Sequence, residues 1–295
     1  MAKKAGFVSC IARNLNGTFA GTPLWTPLIR LRDIKGNRAP GGTPDVSDRQ
    51  VDVYSTLPVR KKISYDADAT WDKGDGLTAL RTAFLAKTGI DLAAIDEQPT
   101  NSGKGYRGKW AVTKFNLDFP LLGEQKLSVS IKPHGSVDSS ERVAAYTDAT
   151  VVAGTAETPG TKRAGHVASV NSSGGTPFTG VRDWKLMLEY AEGDSSDRSN
   201  EFEMVNLHQL KISAEVQFHW DATEFAAFKT AFDDNSPIEL FLLDGAYATT
   251  GSWGVHADFA VTDFPKEDPL TDNQKCTVKL EIHGNSSTLP VFVTI

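Results

Sequence analysis

The chain has 295 residues, of which 40% are hydrophobic and 23% charged, with a formal net charge of −6 and a pI of about 5.6. This balance is ordinary for a globular protein, and the acidic pI argues against one that grips nucleic acid through its phosphates. No run approaches the roughly 18 apolar residues that a membrane span requires. Two cysteines, Cys10 and Cys276, have no metal spacing and form no disulfide framework, which fits assembly in a reducing cytoplasm.

The chain begins with a predicted arm, residues 1–20, which we interpret as mature protein because no convincing signal cleavage site follows it. A strand is expected within Gly21–Ile34, where apolar and basic residues alternate through Ile29–Arg32. The polar stretch Lys35–Gln50 is predicted to be a long loop, and loops of this length in compact domains are commonly functional or disordered.

The segment Lys62–Phe84 is predicted to form a strand followed by a helix. Apolar and polar residues alternate through Ile63–Trp71, and the period then changes to a helical stripe of Leu77, Leu80 and Phe84. A short apolar strand, Ile90–Ile95, comes next. A longer pair of strands then ends the first half at the last alternating segment, Lys126–Gly135.

The stretch 136–174 is rich in Ser, Thr, Gly and Ala, and it is either a flexible linker or an extended arm that orders on a neighbour. After it the pattern returns. A strand is expected within Gly175–Tyr190, and the polar stretch Ala191–Asn200 is predicted to be a loop. Lys211–Phe232 then repeats the strand and helix of the first half, with the same Lys-Ile-Ser opening and Thr-Ala-Phe ending.

The repeat predicts a duplicated unit, since internal self-similarity at this scale indicates repeated structure. We therefore expect a first domain at 1–135, a linker or arm at 136–174 and a second domain at 175–295. Each domain is expected to be mainly β, a small sandwich or open barrel with one flanking helix.

No sequence motif strongly indicates a catalytic site or a site for a cofactor or metal ion. Gly103–Gly108 matches GxGxxG, but a strand rather than a helix is expected to follow it, so a dinucleotide site is not indicated. His134 and His283 occupy matching positions without further ligands at metal spacing, so a repeated turn residue is the better interpretation. We expect no enzyme activity, no cofactor and no metal.

An ordered set of segments resembles phage tail tube proteins. The first is RNLNGTFAGTPLWTPLIRLRDI at Arg13–Ile34, and the second is the VSDRQ stretch that begins at Val46. The others are DATEFAAFKTAF with IELFLLDG in the second half, and WAVTKFNLDFP with KLSVSIKPHGS in the first half. The resemblance covers nearly the whole chain outside the linker. The duplication departs from the single copy that most such proteins carry.

The resemblance implies a structural virion protein whose strands join those of neighbouring subunits into a continuous β-barrel ring. In that family six single-domain subunits form each ring, so a duplicated chain implies three chains in a pseudo-six-fold ring. Rings stack into the tube through which double-stranded DNA passes without sequence-specific binding. The implied partners are further copies of the chain, the tape-measure protein and the terminator or tip proteins. The implied location is the virion tail, with assembly in the host cytoplasm and no membrane contact.

This resemblance suggests roles for two groups of residues. The polar strand face, with Asp66, Asp68, Glu215 and Gln217, is expected to line the lumen, where acidic groups keep phosphates from sticking. The alternative is that this face is solvated exterior. The polar loops, with the linker and the N-terminal arm, are expected to make ring-to-ring contacts; the candidates are Arg38, Pro40, Asp45, Asp48, Arg49, Asp194, Asp197 and Arg198.

Two other functions stay open at this point. A tandem β-sandwich could be an adhesin or carbohydrate-binding module, in which tryptophans form stacking platforms. A tail terminator or head–tail connector ring is the other alternative. Trp71 and Trp220 continue the apolar face of their strands, which favours a place in the core over a binding platform.

Overall fold

The computed structural model describes residues 10–16, 24–28, 30–40, 61–95, 104–135, 137–146, 152–153, 157–196, 202–219, 225–264, 275–284 and 290–295. Within them the chain is mainly β with two helices, which confirms the predicted fold class in its coarse form. The residues form two compact units. Unit 1 comprises Met1–Phe115, Ser128–Thr161 and Tyr190–Gln209, and unit 2 comprises Asn116–Leu127, Lys162–Glu189 and Leu210–Ile295. Each unit thus takes residues from both sequence copies.

The first sequence copy contains strands on both sides of a helix, in the order expected. The elements are β1 (Cys10–Asn14), β2 (Leu24–Pro27), β3 (Leu31–Pro40), β4 (Lys61–Thr70), α1 (Asp75–Ala86), β5 (Ile90–Ile95), β6 (Gly105–Phe119) and β7 (Lys126–Pro133). Helix α1 ends where Lys87 adopts a left-handed conformation and its amide donates to the carbonyl of Phe84 at 3.1 Å. The predicted stripe of α1 is buried, with Leu77 and Leu80 beside Phe84.

The stretch between the copies forms strands in its described parts. These are β8 (Ala144–Tyr146), β9 (Val152–Ala153) and β10 (Ser169–Ser172). In unit 1, β8 pairs antiparallel with β6 and β9 pairs parallel with β2. These pairings satisfy backbone groups that a solvated linker would leave to water.

The second copy repeats the sequence of elements. They are β11 (Val181–Asp194), β12 (Val205–His219), α2 (Phe225–Asp233), β13 (Ile238–Leu243), β14 (Trp253–Asp263), β15 (Lys275–Ile282) and β16 (Val291–Thr294). In unit 2, β10 pairs antiparallel with β13, as β1 pairs with β5 in unit 1. Likewise β16 pairs with the start of β14, as β8 pairs with the start of β6.

The main strands of the two copies follow matching orders. The first copy has the order β3-β4-β7-β6, and the second has β11-β12-β15-β14. Helix α1 follows β4 and helix α2 follows β12, so the helix occupies the same place in each order. The pairs β3–β4 and β12–β15 are both antiparallel.

Two predicted loops begin as strands, which corrects the sequence prediction. Lys35–Pro40 belongs to β3 and pairs with β4 as far as Lys61, although its composition is polar. Ala191–Asp194 belongs to β11 in the same way. The cross-strand hydrogen bonds of a hairpin do not depend on apolar side chains, so polar residues continue a strand when the register provides partners. Residues 41–60 and 197–201 lie outside the described residues.

Each unit has an aromatic core beneath its helix. In unit 1, Trp71 meets Phe115 edge to face, with ring centres 5.6 Å apart, and Phe84 packs against the same ring at 5.8 Å. In unit 2, Phe218 of β12 and Phe228 of α2 lie 4.7 Å apart. The apolar face of each sheet is therefore covered by its own helix, which leaves the opposite face of β4 and β12 to the polar residues.

Candidate functional site

The candidate site is the polar face of the two repeated runs of strands, and it arises from the alternation of Ile63–Asp68 in β4 and Ile212–Phe218 in β12. In β4, Ile63, Tyr65 and Ala67 are buried, whereas Asp68 is exposed and Asp66 is partly so. In β12, four alternate residues are buried: Ile212, Ala214, Val216 and Phe218. Because side chains on a strand point alternately to its two faces, Glu215 and Gln217 lie on the opposite face. All four predicted lumen residues thus lie on the polar face of their strands.

Asp66 is held by neighbours on both sides. Its Oδ1 accepts a hydrogen bond from Ser130 Oγ of β7 at 2.5 Å, and its Oδ2 accepts one from Asn37 Nδ2 of β3 at 3.2 Å. The backbone position opposite Asp66 is Lys35, and the position opposite Asp68 is Arg32. Each acid of β4 therefore has a basic residue across from it on β3.

The second copy has the same arrangement in a different pair of strands. Glu215 stands opposite Lys279 of β15, and Lys279 Nζ also pairs with Asp263 Oδ2 at 2.8 Å. The hydrogen bond and charge of Asp263, with a smaller contribution from Glu215, raise the pKa of Lys279. Gln217 stands opposite Thr277, to whose hydroxyl it donates at 3.5 Å.

The described part of this face carries both signs of charge, which qualifies the expectation of an acidic wall. The acids named in the sequence prediction are present, but Lys35, Arg32 and Lys279 stand opposite them. Sequence reasoning missed these bases because strand register decides which residues face each other, and a shift of one residue reverses the faces. The Lys-Ile-Ser repeat identifies one strand in each copy, but it does not identify the strand that pairs with it.

The residues predicted to stack rings have different positions in the structure. Arg38 lies in β3, where its guanidinium is 4.7 Å from the centre of the Tyr106 ring and its Nη2 donates to Tyr65 Oη at 3.4 Å. Pro40 is the last residue of β3 and pairs with Lys61. A further five candidates lie outside the described residues: Asp45, Asp48, Arg49, Asp197 and Arg198.

Asp194, the remaining stacking candidate, shapes the turn at the end of β11. Its Oδ1 accepts a hydrogen bond from the amide of Ser196 at 2.8 Å, which forms a short Asp-turn directly after β11. This use of the carboxylate leaves Asp194 with a local structural role in unit 1.

Residues of the two weak motifs lie in or directly after strands. Gly105 and Gly108 lie within β6, so a strand continues where a dinucleotide site would need a helix N-terminus. His134 is buried, its Nε2 lies 3.2 Å from the carbonyl of Lys87, and burial lowers its pKa. Among the residues that the structure describes, no group of three or more His, Cys, Asp or Glu side chains could hold a metal ion.

Of the two helices in the described residues, neither is long and apolar enough to cross a membrane. A scan against models of protein families found no match for this chain, and a search among curated proteins found none either.

Proposed function

We propose that this chain is the subunit of a bacteriophage tail tube, in which three chains form a pseudo-six-fold ring and the rings stack into a conduit for DNA. The observation that carries the proposal is the repeated strand order, β3-β4-β7-β6 and β11-β12-β15-β14. Two equivalent runs of four strands in the sheet of one chain can supply two segments of a barrel wall. Closing such a wall on itself removes the edge strands that otherwise invite uncontrolled pairing.

The chemistry of the polar face supports its assignment to the lumen. DNA adheres to a protein where free cations replace the counterions of its phosphates. Here Lys279 pairs with Asp263 at 2.8 Å, and Lys132 of β7 pairs with Glu192 at 2.5 Å. A hydrated wall on which these two cations have acidic partners offers phosphates less to bind, so DNA can slide past it.

The other surfaces follow from this assignment. Because Arg38 and Asp194 already make contacts within unit 1, and β8–β10 of the stretch 136–174 already pair within the units, we assign ring-to-ring contacts first to the N-terminal arm. The tape-measure protein would occupy the lumen during assembly, and terminator and tip proteins would bind the two ends of the tube. The role is structural and requires no catalysis.

The burial of the tryptophans weighs against an adhesin. A stacking platform for sugars needs an exposed aromatic face. Five tryptophans are at most 4% exposed: Trp25, Trp71, Trp110, Trp184 and Trp253. The sixth, Trp220, lies outside the described residues.

Negative-stain electron microscopy of the purified chain over a range of concentrations tests the proposal. Tubes, or stacked rings with a central channel, are the expected result. Monodisperse monomers at every concentration would contradict the tube and favour a binding module. Single rings that never stack would instead favour a terminator or connector.

A further inference from the structure

Hydrogen bonds within unit 1 hold the tip between β11 and β12 in place. The amide of Ser196 donates to Asp194 Oδ1 at 2.8 Å, and the amide of Met204 donates to Ser196 Oγ at 2.9 Å. The amide of Ser195 donates to the carbonyl of Met204 at 3.0 Å. One aspartate and one serine therefore hold this tip, defined here by its described residues 194–196 and 202–204.

This tip packs onto residues of the first sequence copy, within unit 1. Phe202 is 1% exposed and meets the ring of Tyr106 edge to face, with ring centres 5.4 Å apart. The amide of Glu203 donates to the carbonyl of Lys61 at 3.0 Å, and its carboxylate lies 3.3 Å from Lys62 Nζ. The contact is thus an apolar anchor flanked by a backbone bond and an ion pair.

Gly135 is the point where the tip comes closest. Its amide donates to the carbonyl of Val205 at 2.9 Å. A Cβ atom built on Gly135 would lie 1.5 Å from Ser195 Oγ and 2.6 Å from Ser195 Cβ. The tip therefore occupies the space that a side chain at Gly135 would need, and a glycine is required there by this close approach.

The same tip sequence occurs in the first copy. Asp45–Arg49 reads Asp-Val-Ser-Asp-Arg, and Asp194–Arg198 reads Asp-Ser-Ser-Asp-Arg. Each begins 17 residues before the Lys-Ile-Ser of its copy, at Lys62 and at Lys211. The two side chains that close the described tip are thus retained in the first copy as an aspartate and a serine.

The surface that receives the tip is also repeated. His283-Gly284 follows β15 as His134-Gly135 follows β7. The amide of His283 donates to the carbonyl of Asp258 at 3.0 Å, matching the bond from His134 to Lys109 at 3.1 Å. Gly284, however, is exposed, and no atom of the described residues lies within 4 Å of a Cβ built on it. Within the part of the chain that the structure describes, the second receiving surface therefore carries no tip, whereas the first is filled.

We propose that Gly284 and the end of β15 form the docking surface for the Asp45–Ser55 tip of a second copy of this chain. One tip and one receiving surface meet inside unit 1, and the repeat leads us to match the other tip sequence with the other receiving surface across two chains. Such a contact is head to tail, and it generates a ring when the rotation closes. The inference rests on the proposed function only in expecting that rotation to close; the choice of surface comes from the repeat.

A matched pair of glycine variants tests the surface. Gly284→Val should abolish rings and tubes in electron microscopy and leave monomers in sedimentation, because the added side chain fills the docking position. Gly174→Val is the control, since Gly174 also has no described atom within 4 Å of a built Cβ but lies in the turn after β10. Rings in both variants would overturn the inference while leaving the tube intact.

A disulfide between chains tests the contact directly, even where no ring is seen. The counterpart of Ser195 in the first tip is Val46, so the pair Val46→Cys and Gly284→Cys should cross-link neighbouring chains at pH 8 when dissolved oxygen, with a copper catalyst, takes up the two electrons and two protons of each thiol pair. Burial raises the pKa of the native thiols, Cys10 and Cys276, to about 11, with Asp263 contributing to the second, so neither competes.

The expected result is a ladder of linked chains on a non-reducing gel, at least tenfold stronger than with Val46→Cys and Gly174→Cys. Equal, background-level linkage in both pairs would refute the docking surface, whatever microscopy shows. A ladder in the first pair without any ring or tube would support the docking surface and refute the tube.

Discussion

The two glycines that end β7 and β15 should respond oppositely to alanine in the isolated chain. A Cβ at Gly135 meets Ser195 Oγ at 1.5 Å and Asn206 Oδ1 at 2.8 Å, so the tip must shift. Overpacking of this kind costs about 1–3 kcal/mol. Neither glycine has a φ in the left-handed range, so alanine also gains about 0.4–1 kcal/mol by restricting the unfolded chain. The net expectation is a loss of about 1–2 kcal/mol for Gly135→Ala and a small gain for Gly284→Ala.

Guanidinium unfolding followed by tryptophan fluorescence measures both variants, at protein concentrations low enough to keep the chain monomeric. The midpoint should fall for Gly135→Ala and stay level or rise for Gly284→Ala, with the slope unchanged, because a changed midpoint at constant slope reports stability. The reasoning fails if Gly284→Ala loses as much stability as Gly135→Ala, since the receiving surface of the second copy would then be filled within one chain.

Three further changes have defined outcomes. Phe202→Ala removes the buried anchor of the tip and should lower the free energy of unfolding by about 3 kcal/mol, whereas Leu122→Ala, at a position 87% exposed, should change it by less than about 0.5 kcal/mol. Asp66→Lys combined with Asp68→Lys leaves cations unpaired on the polar face and should slow DNA ejection from particles with intact tails; an unchanged ejection rate would refute the lumen assignment. Burial lowers the pKa of His134, so the unfolded chain takes up its proton first as the pH falls below the usual value of 6.5. Stability should therefore decline from pH 7.5 to 5.5, and His134→Gln should flatten that decline in unfolding titrations; an equally steep decline in the variant would contradict it.

The fold could be predicted where a local pattern decides the structure. The alternation in Ile63–Trp71 and the stripe from Leu77 to Phe84 gave a strand and a helix, and the structure has both as β4 and α1. Only the start of strand β3 could be found in this way, because the alternation of Ile29–Arg32 does not continue through Lys35–Pro40 and the strand contains a bulge at Asp33, whose φ is 47°. Its existence depends on a partner strand that lies some 30 residues later in the sequence.

The candidate site was predictable to the same extent. Its acids follow from the alternation of β4 and β12, whereas the opposing bases depend on register. Which residues belong to which unit depends on contacts between residues still farther apart in the sequence. Leu121 shows this, since its amide donates at 2.6 Å to the carboxylate of Asp183, a residue of the other sequence copy that belongs to the same unit 2. No local pattern in the first copy indicates that bond.

The duplication also gives a physical reason for unequal tips. Phe202 and Met204 of the second tip are each 1% exposed, and they lie nine and seven residues before Lys211. Their counterparts, nine and seven residues before Lys62, are Val53 and Ser55. Replacing a buried phenylalanine and methionine by valine and serine removes apolar area that contributes about 25 cal/mol per Å². The contact between the second tip and its receiving surface forms once, when unit 1 folds, and a large apolar anchor stabilises it. Under the proposed docking, the interface between chains has the smaller apolar anchor. Chains therefore associate reversibly, and wrongly associated chains can dissociate before a ring closes.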